Sequence, residues 1–270
     1  MSRAAAHPPK HMTSTWNGDY LFLLQNLIVK DFKIRYRNMS LGVFWSLLNP
    51  LVLMSVLTFV FVKVMPNNAI PNFPIFALCG LVPFNFFTVA WNNGTTAVAN
   101  NAGLIKRIPV PREIVPIATV LSTTIHLGIQ IGLLLLAVIV FGRGVNIYWL
   151  WLPLLWALEI VFVCGLVLAT SALDAYLRDM RYIVESACTV LFWLVPIFYT
   201  LDIVPQAYVR VYEFNPLAAL ILGLRRILID GVSPNGEAGL VYKLAFTSTL
   251  TFVMGLGIYS RLKTKFFDYL

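Results

Sequence analysis

Charge is what this sequence has least of. Only 12% of its 270 residues are Asp, Glu, Lys or Arg, about half the roughly 25% usual in soluble domains. Hydrophobic residues reach 59%, mean hydropathy is +0.79, and the apolar residues gather in long blocks. A water-soluble fold of this length has no interior large enough to hide that excess, so the soluble classes are excluded. Cysteine is also scarce. Cys79, Cys164 and Cys188 lie inside apolar runs at no paired spacing, which excludes a disulfide framework or a thiolate metal site. There is no G-x-x-x-x-G-K-[ST] phosphate loop, no H-E-x-x-H, no G-x-S-x-G and no C-x-x-C. His7, His11 and His126 do not cluster, and residues 1–18 are polar, with Pro8 and Pro9 but no apolar run of the kind a cleavable signal peptide needs.

What is present reads as membrane helices. Six apolar segments can be drawn, at 43–62, 75–91, 114–140, 148–171, 183–201 and 244–260. A span needs about 20 residues at 1.5 Å rise, and irregular backbone cannot face lipid, so each is expected to be a helix. Pro50, Pro83, Pro153 and Pro196 fall in or near these spans and predict kinks. The net charge is +8 and the pI about 9.5, which on a soluble protein suggests nucleic acid. Here the cations sit between apolar blocks and read as topogenic charge. With the N-terminus inside, fourteen of the twenty Lys and Arg fall in the inner connections. Both termini are therefore expected in the cytoplasm.

Two segments are not simple loops. Residues 19–37 place Leu21, Leu24, Ile28, Phe32 and Tyr36 on one helical face, opposite Asn26, Lys30, Lys33 and Arg37. That pattern predicts an amphipathic helix lying on the inner leaflet, with Arg35 intruding near its apolar face. Between spans five and six, Asn215-Pro216 is a helix-start signal and Gly231 a stop. The greasy stretch between them is too short to cross and too apolar for water, which predicts a re-entrant helix whose Arg225 and Arg226 need water or protein partners. The expected fold is thus an all-α membrane protein: a polar tail at 1–18, an amphipathic interface helix at 19–38, and a domain of six transmembrane helices at 39–270 with a re-entrant segment.

Polar groups inside the spans are few. His126 and Gln130 lie one turn apart in the third span and suit hydrogen bonds across helices. Glu159, near the middle of the fourth, costs at least about 3 kcal/mol to insert charged, so it faces the bundle interior or is protonated. A single acid is not the proton relay of an ion-driven carrier, and no polar midplane site is visible.

The inner connections carry a further pattern. Lys30-Asp31-Phe32-Lys33-Ile34-Arg35-Tyr36-Arg37, followed by Leu41-Gly42-Val43-Phe44-Trp45 and Pro50, resembles the start of ABC transporter permeases that export polysaccharides and polyol phosphates. Gly80-Leu81-Val82-Pro83-Phe84 with Phe86-Phe87 resembles that family's second span. Leu104-Ile105-Lys106-Arg107-Ile108-Pro109-Val110-Pro111-Arg112-Glu113 is similar to its second cytoplasmic connection. Arg178-Asp179-Met180-Arg181, Pro196-Ile197-Phe198-Tyr199 and Asn215-Pro216-Leu217 follow in family order. Singly these motifs are weak; six in order are specific. Leu177 and Asn85 depart from it, standing where a tyrosine and an aromatic are expected. The Phe192–Asp202 stretch looks most like the O-antigen permeases, with capsule and teichoic-acid exporters left open.

The resemblance implies a permease in the bacterial cytoplasmic membrane that holds no cofactor. A separate ATPase subunit would carry ATP and Mg, and two copies of each would assemble around a lipid-linked polysaccharide. It assigns coupling to the ATPase to Leu104, Ile105, Lys106, Arg107, Pro109, Pro111, Arg112 and Glu113. The prolines would stiffen the exit from a short helix, and the charges would offer directional contacts. The amphipathic helix becomes a gate, with Lys30, Lys33, Arg35, Tyr36 and Arg37 at the entrance and Arg35 or Arg37 as the phosphate receptor. Sugars pack on aromatic faces, and Phe44, Trp45, Phe84, Phe87, Trp91, Phe198 and Tyr199 are candidates for a conduit wall; bundle packing is the competing reading for each. Two other classes stay open. A membrane-embedded glycosyl- or acyltransferase would need convergent carboxylates or a His-Asp pair, which are not found, and a small-molecule ABC exporter would share the topology.

Overall fold

A computed structural model describes residues 19–37, 42–64, 70–107, 111–141, 144–236 and 239–263, and these are helical with short connections and no strand among them. Helix α1 spans Tyr20–Tyr36, its start fixed by Asp19, whose carboxylate accepts from the backbone N–H of Leu21 (2.9 Å) and Phe22 (3.2 Å). Then come α2 (Trp45–Thr58), extended by a π turn over Phe59–Val64, and α3 (Phe73–Thr95). Two short helices, α4 (Ala97–Asn100) and α5 (Ala102–Arg107), precede α6 (Ile114–Val140). A 3-10 turn at Ile147–Trp151 leads into α7 (Leu152–Asp174), followed by α8 (Met180–Leu194), α9 (Gln206–Phe214), α10 (Pro216–Arg225) and α11 (Leu240–Leu262). The expected tail at 1–18 lies outside the described residues.

Five stretches are long and apolar enough to cross a membrane: Trp45–Val64, Phe73–Thr95, Ile114–Val140, Ile147–Asp174 and Leu240–Leu262. They correspond to five of the six expected segments. The remaining one, 183–201, is not a continuous helix: α8 ends at Leu194, and the chain around Pro196 is non-helical up to Thr200. Proline at that place stops the helix instead of kinking it, because its ring and missing N–H are incompatible with the next turn. Pro153 also departs from expectation. It sits in the first turn of α7, where the N–H would lack a helical partner anyway. Pro50 and Pro83 lie inside α2 and α3.

Helix α3 is the centre of the bundle, buried along most of its length against α2, α6, α7, α8 and α10. By contrast α2 is greasy all round yet almost bare, with Trp45, Leu48, Val52, Val56 and Phe59 exposed. The most intimate pair is α7 with α11. A Cβ on Gly255 would fall 2.0 Å from the Gly165 carbonyl oxygen, and one on Gly165 would fall 2.6 Å from the Phe252 backbone. Small residues are the means by which helices approach where hydrophobic force between them is weak. Gly255→Ala is therefore expected to cost about 1–3 kcal/mol by overpacking and to lower the melting temperature in detergent. Gly257→Ala, where a Cβ meets nothing within 4 Å, is expected to leave it unchanged; equal melting of the two variants would contradict the crossing.

Ending α8 early leaves carbonyls without helical donors: the Tyr199 hydroxyl donates to those of Trp193 (3.2 Å) and Leu194 (2.9 Å), and Arg225 serves the irregular run beyond. Its guanidinium donates to the carbonyls of Ile197 (2.6 Å), Phe76 (3.3 Å) and Tyr199 (3.4 Å) and lies 3.4 Å over the Phe76 ring. Only 6% of the residue is exposed. Arg226 donates through Nε to the Ser233 carbonyl at 2.9 Å. The predicted protein partners of both arginines are thus present. Asn215 caps α10 by accepting from Leu217 N (3.0 Å), and Gly231 ends the following π turn at φ 68°. Arg225→Met is expected to destabilise by about 1–3 kcal/mol for each carbonyl left dry and to expose 195–205 to protease; unchanged proteolysis and melting would refute the clamp.

Candidate functional site

Helix α1 docks on α6 through polar contacts as well as grease. Asp31 accepts from Thr119 Oγ1 (3.0 Å), Arg35 Nη2 donates to Thr123 Oγ1 (3.4 Å), and the Tyr36 hydroxyl is hydrogen-bonded to His126 Nδ1. Phe32 stacks on the His126 ring, centroids 5.7 Å apart. One turn on, Gln130 Nε2 donates to the Ser46 carbonyl at 2.7 Å. His126 and Gln130 therefore bond across helices, to α1 and to α2. The buried face is rotated from the expected one: Leu27 is in and Leu21 is out. The reason is the polar seam, which rotates Asp31 and Arg35 toward α6.

Of the expected gate cations, Lys33 and Arg37 are exposed. Lys30 donates to Asn101 Oδ1 at 2.6 Å and sits 3.6 Å from Asp31. Arg35 is turned inward, and burial draws its pKa below the ordinary arginine value, partly opposed by Tyr36 and Asp31 beside it. Burial likewise pushes Tyr36 up. These arrangements tie α1 both to α6 and to the connection before α5.

That connection is partly a core element. Ile105 is buried and Leu104 half-buried, packed with Leu27, Val98, Val115, Leu168 and Tyr259. Lys106 is exposed. Arg112 Nη1 donates to the Lys263 carbonyl at 2.6 Å, and Glu113 pairs with Lys263 Nζ at 3.3 Å, so both face the end of α11. Pro111 is half-buried just before α6. Pro109 and the side chain of Arg107 lie outside the described part of the chain.

The seven aromatic candidates divide. Phe44 and Trp45 are exposed on the start of α2, while Phe84, Phe87 and Phe198 are buried and Trp91 and Tyr199 half-buried. Most are joined in a ladder: Phe61 to Phe198 (5.5 Å), Phe198 to Phe192 (5.8 Å), Phe192 to Phe84 (5.5 Å), Phe84 to Phe87 (5.9 Å) and Phe87 to Trp91 (5.2 Å). A cleft of about 620 Å³ opens beside Phe87 and Trp91, bounded by Phe162, Phe214 and Arg210. Glu159 is 1% exposed, and neither carboxylate oxygen has a partner among the described residues. Because Gly165 meets Phe252 and Tyr176 meets Leu262, α7 and α11 run parallel, which brings Glu159 level with the fully buried Ser248.

Two features escape a reading of sequence alone. Helix α9 lies in the long connection before α10, and the available clue was the amphipathic pattern of Gln206–Phe214. Along α8, Arg181, Glu185 and Thr189 form an exposed polar stripe, and their four-residue spacing was the available clue. Among the described residues no group of three or more His, Cys, Asp or Glu is placed to hold a metal ion.

A bundle of this kind, with five stretches long and apolar enough to cross a membrane and α1 docked on α6, defines a multi-helix membrane domain. The chain belongs to the ABC-2 type transporter family, whose model matches residues 23–229. It is 31% identical over 257 residues to an O-antigen export system permease protein RfbA of Klebsiella pneumoniae, covering 94% of this chain and 98% of the relative. An RfbA of Myxococcus xanthus is 27% identical over 81% of this chain and 84% of its own. A polysialic acid transport protein KpsM of Escherichia coli is 28% identical over 87% and 92%.

The docking seam is open to test. Tyr36→Phe is expected to leave the His126 ring without its partner, about 1–3 kcal/mol, and to loosen α1. Maleimide labelling of a Leu27→Cys probe should then rise; labelling that stays at the level of the parent would show that apolar packing alone holds the helix.

Proposed function

We propose that this chain is the membrane permease subunit of an ATP-driven exporter of a lipid-linked polysaccharide, of the O-antigen kind. The observation that carries it is the match, over nearly the whole chain, to proteins named for O-antigen export and polysialic acid transport. The capsule reading rests on the second of those names. In this reading the energy comes from a separate ATPase subunit, two copies of it with two of this chain, in the bacterial cytoplasmic membrane with both termini inside. ATP and Mg belong to that partner.

The geometry supports the assignment in several places. A sixth crossing is made by α8 together with the non-helical run that Arg225 satisfies, and α9 with α10 form the re-entrant hairpin. Irregular backbone at membrane depth is tolerated only when protein satisfies it, as here. The exposed stripe of Arg181, Glu185 and Thr189 is costly against lipid, as is the bare polar Asn49, which donates to Asn85 at 3.2 Å. Both suit a water-lined path closed by a second copy. In this reading Phe44 and Trp45 at the start of α2, and Trp91 and Tyr199 at the margins of the ladder, meet sugar faces, with Phe87 packed against Trp91 and Phe198 against Tyr199.

The phosphate-receiving role falls to Arg37 and Lys33, the exposed cations of α1, with Arg35 holding the helix on α6. Lys106, exposed on α5, reaches for the ATPase. The test begins with co-purification of the tagged chain in mild detergent: an ABC ATPase should accompany it, and its repeated absence would refute the reading. In that complex, Arg37→Gln is expected to lower export several-fold with ATPase binding intact, and Lys106→Glu to weaken ATPase binding. If both variants export as the parent does, the two assignments are wrong.

A further inference from the structure

The end of α11 is held by two different connections. The last carbonyls of a helix have no partner within it, and here side chains from elsewhere reach them. The Tyr176 hydroxyl, from the connection between α7 and α8, donates to the Leu262 carbonyl at 2.6 Å. Arg112, from the connection between α5 and α6, donates to the Lys263 carbonyl at 2.6 Å. Glu113 beside it takes the Lys263 ammonium at 3.3 Å. Charge-assisted bonds of this kind are the strong ones, and an arginine near a helix C-terminus is held by its carbonyls.

The same helix is fixed further along. Gly165 and Gly255 bring the α7 and α11 backbones so close that neither tolerates a Cβ without a shift. Tyr259, 0% exposed, packs one turn before the knot together with Ile105 of α5 and Leu168 of α7. A push on α5 therefore reaches α11 through Ile105 against Tyr259, next to the helix end that Arg112 and Glu113 hold, and crosses into α7 at the glycine pair.

We infer that Arg112, Glu113, Tyr176 and the Leu262–Lys263 end of α11 form a transmission knot, which makes α11 and α7 move with the coupling connection as one body. This rests on the ATPase-coupling reading above and deepens it. Arg112 and Glu113 act within the chain as positioning residues, and the contact with the partner is left to neighbours such as Lys106. Packed elements move as units because close-packed interfaces do not deform continuously.

The test uses the whole complex with its ATPase. Glu113→Cys and Lys263→Cys are joined by a short reducible bis-thiosulfonate linker; Cys79, Cys164 and Cys188 are buried, and single-cysteine variants control for them. If the knot is rigid, the linked protein should hydrolyse ATP and export at the rate of the unlinked one, within about a factor of two. Export that stops on linking and returns on reduction would mean that the connection slides past α11, which overturns the inference. In a second arm, Tyr176→Phe combined with Arg112→Ala should lower polysaccharide exported per ATP at least several-fold while the ATPase remains bound and active, with Arg112→Lys partly restoring it. An unchanged ratio overturns it. A complex that contains no ATPase, or whose export ignores ATP, strikes the coupling reading first and this inference with it.

Discussion

Hydrocarbon offers a backbone amide nothing to bond to, and that constraint orders this molecule. Where the chain is a helix, the constraint is met within the segment. Where Pro196 ends α8, it must be met from outside. Arg225 meets it by gathering the carbonyls of Phe76, Ile197 and Tyr199 around one buried guanidinium. The clamp joins α3, the broken run and α10, so the irregular part of the fold is organised by one side chain. Without it, the carbonyls of Ile197 and Tyr199 would lose this donor.

A second consequence is the contrast between α3 and α2. The first is walled in by five helices and serves as the post of the bundle; the second carries as much grease and touches little. Apolar exposure needs no explanation in lipid, but polar exposure does. The stripe on α8 and Asn49 on α2 are the places where the isolated chain looks unfinished, and a second copy with water between is the arrangement that the proposed function gives them. Glu159 is a different case. It is buried in α7, level with the buried Ser248, and neither of its oxygens has a hydrogen-bond partner among the described residues.

Much of this was legible in the residues. Five spans, a helix over Tyr20–Tyr36 (though not its docking on α6), the start at Asn215, the stop at Gly231 and the need for partners at Arg225 all follow from hydropathy, capping and the cost of buried charge. Proline was the weak point, because one residue type kinks, starts or stops a helix according to context. Pro153 starts one and Pro196 ends one, and only neighbouring packing decides which. Side-chain direction was the other. Arg112 read as an outward cation, yet it turns inward, because the end of α11 offers it an acceptor that no local pattern reveals. The conduit aromatics divide for the same reason: spacing places Phe87 and Trp45 in spans, but only three-dimensional packing buries one and bares the other.

The central claim is that a bundle with no phosphate loop in its sequence draws its work from a second polypeptide through its basic inner face. Proteoliposomes decide it most directly. Lipid-linked polysaccharide is supplied on the outside of vesicles holding this chain with its inner face outward, and protection from an added glycosidase is followed. The account predicts protected polysaccharide only when both the ATPase subunit and ATP are present. Equal protection with the chain alone would contradict it.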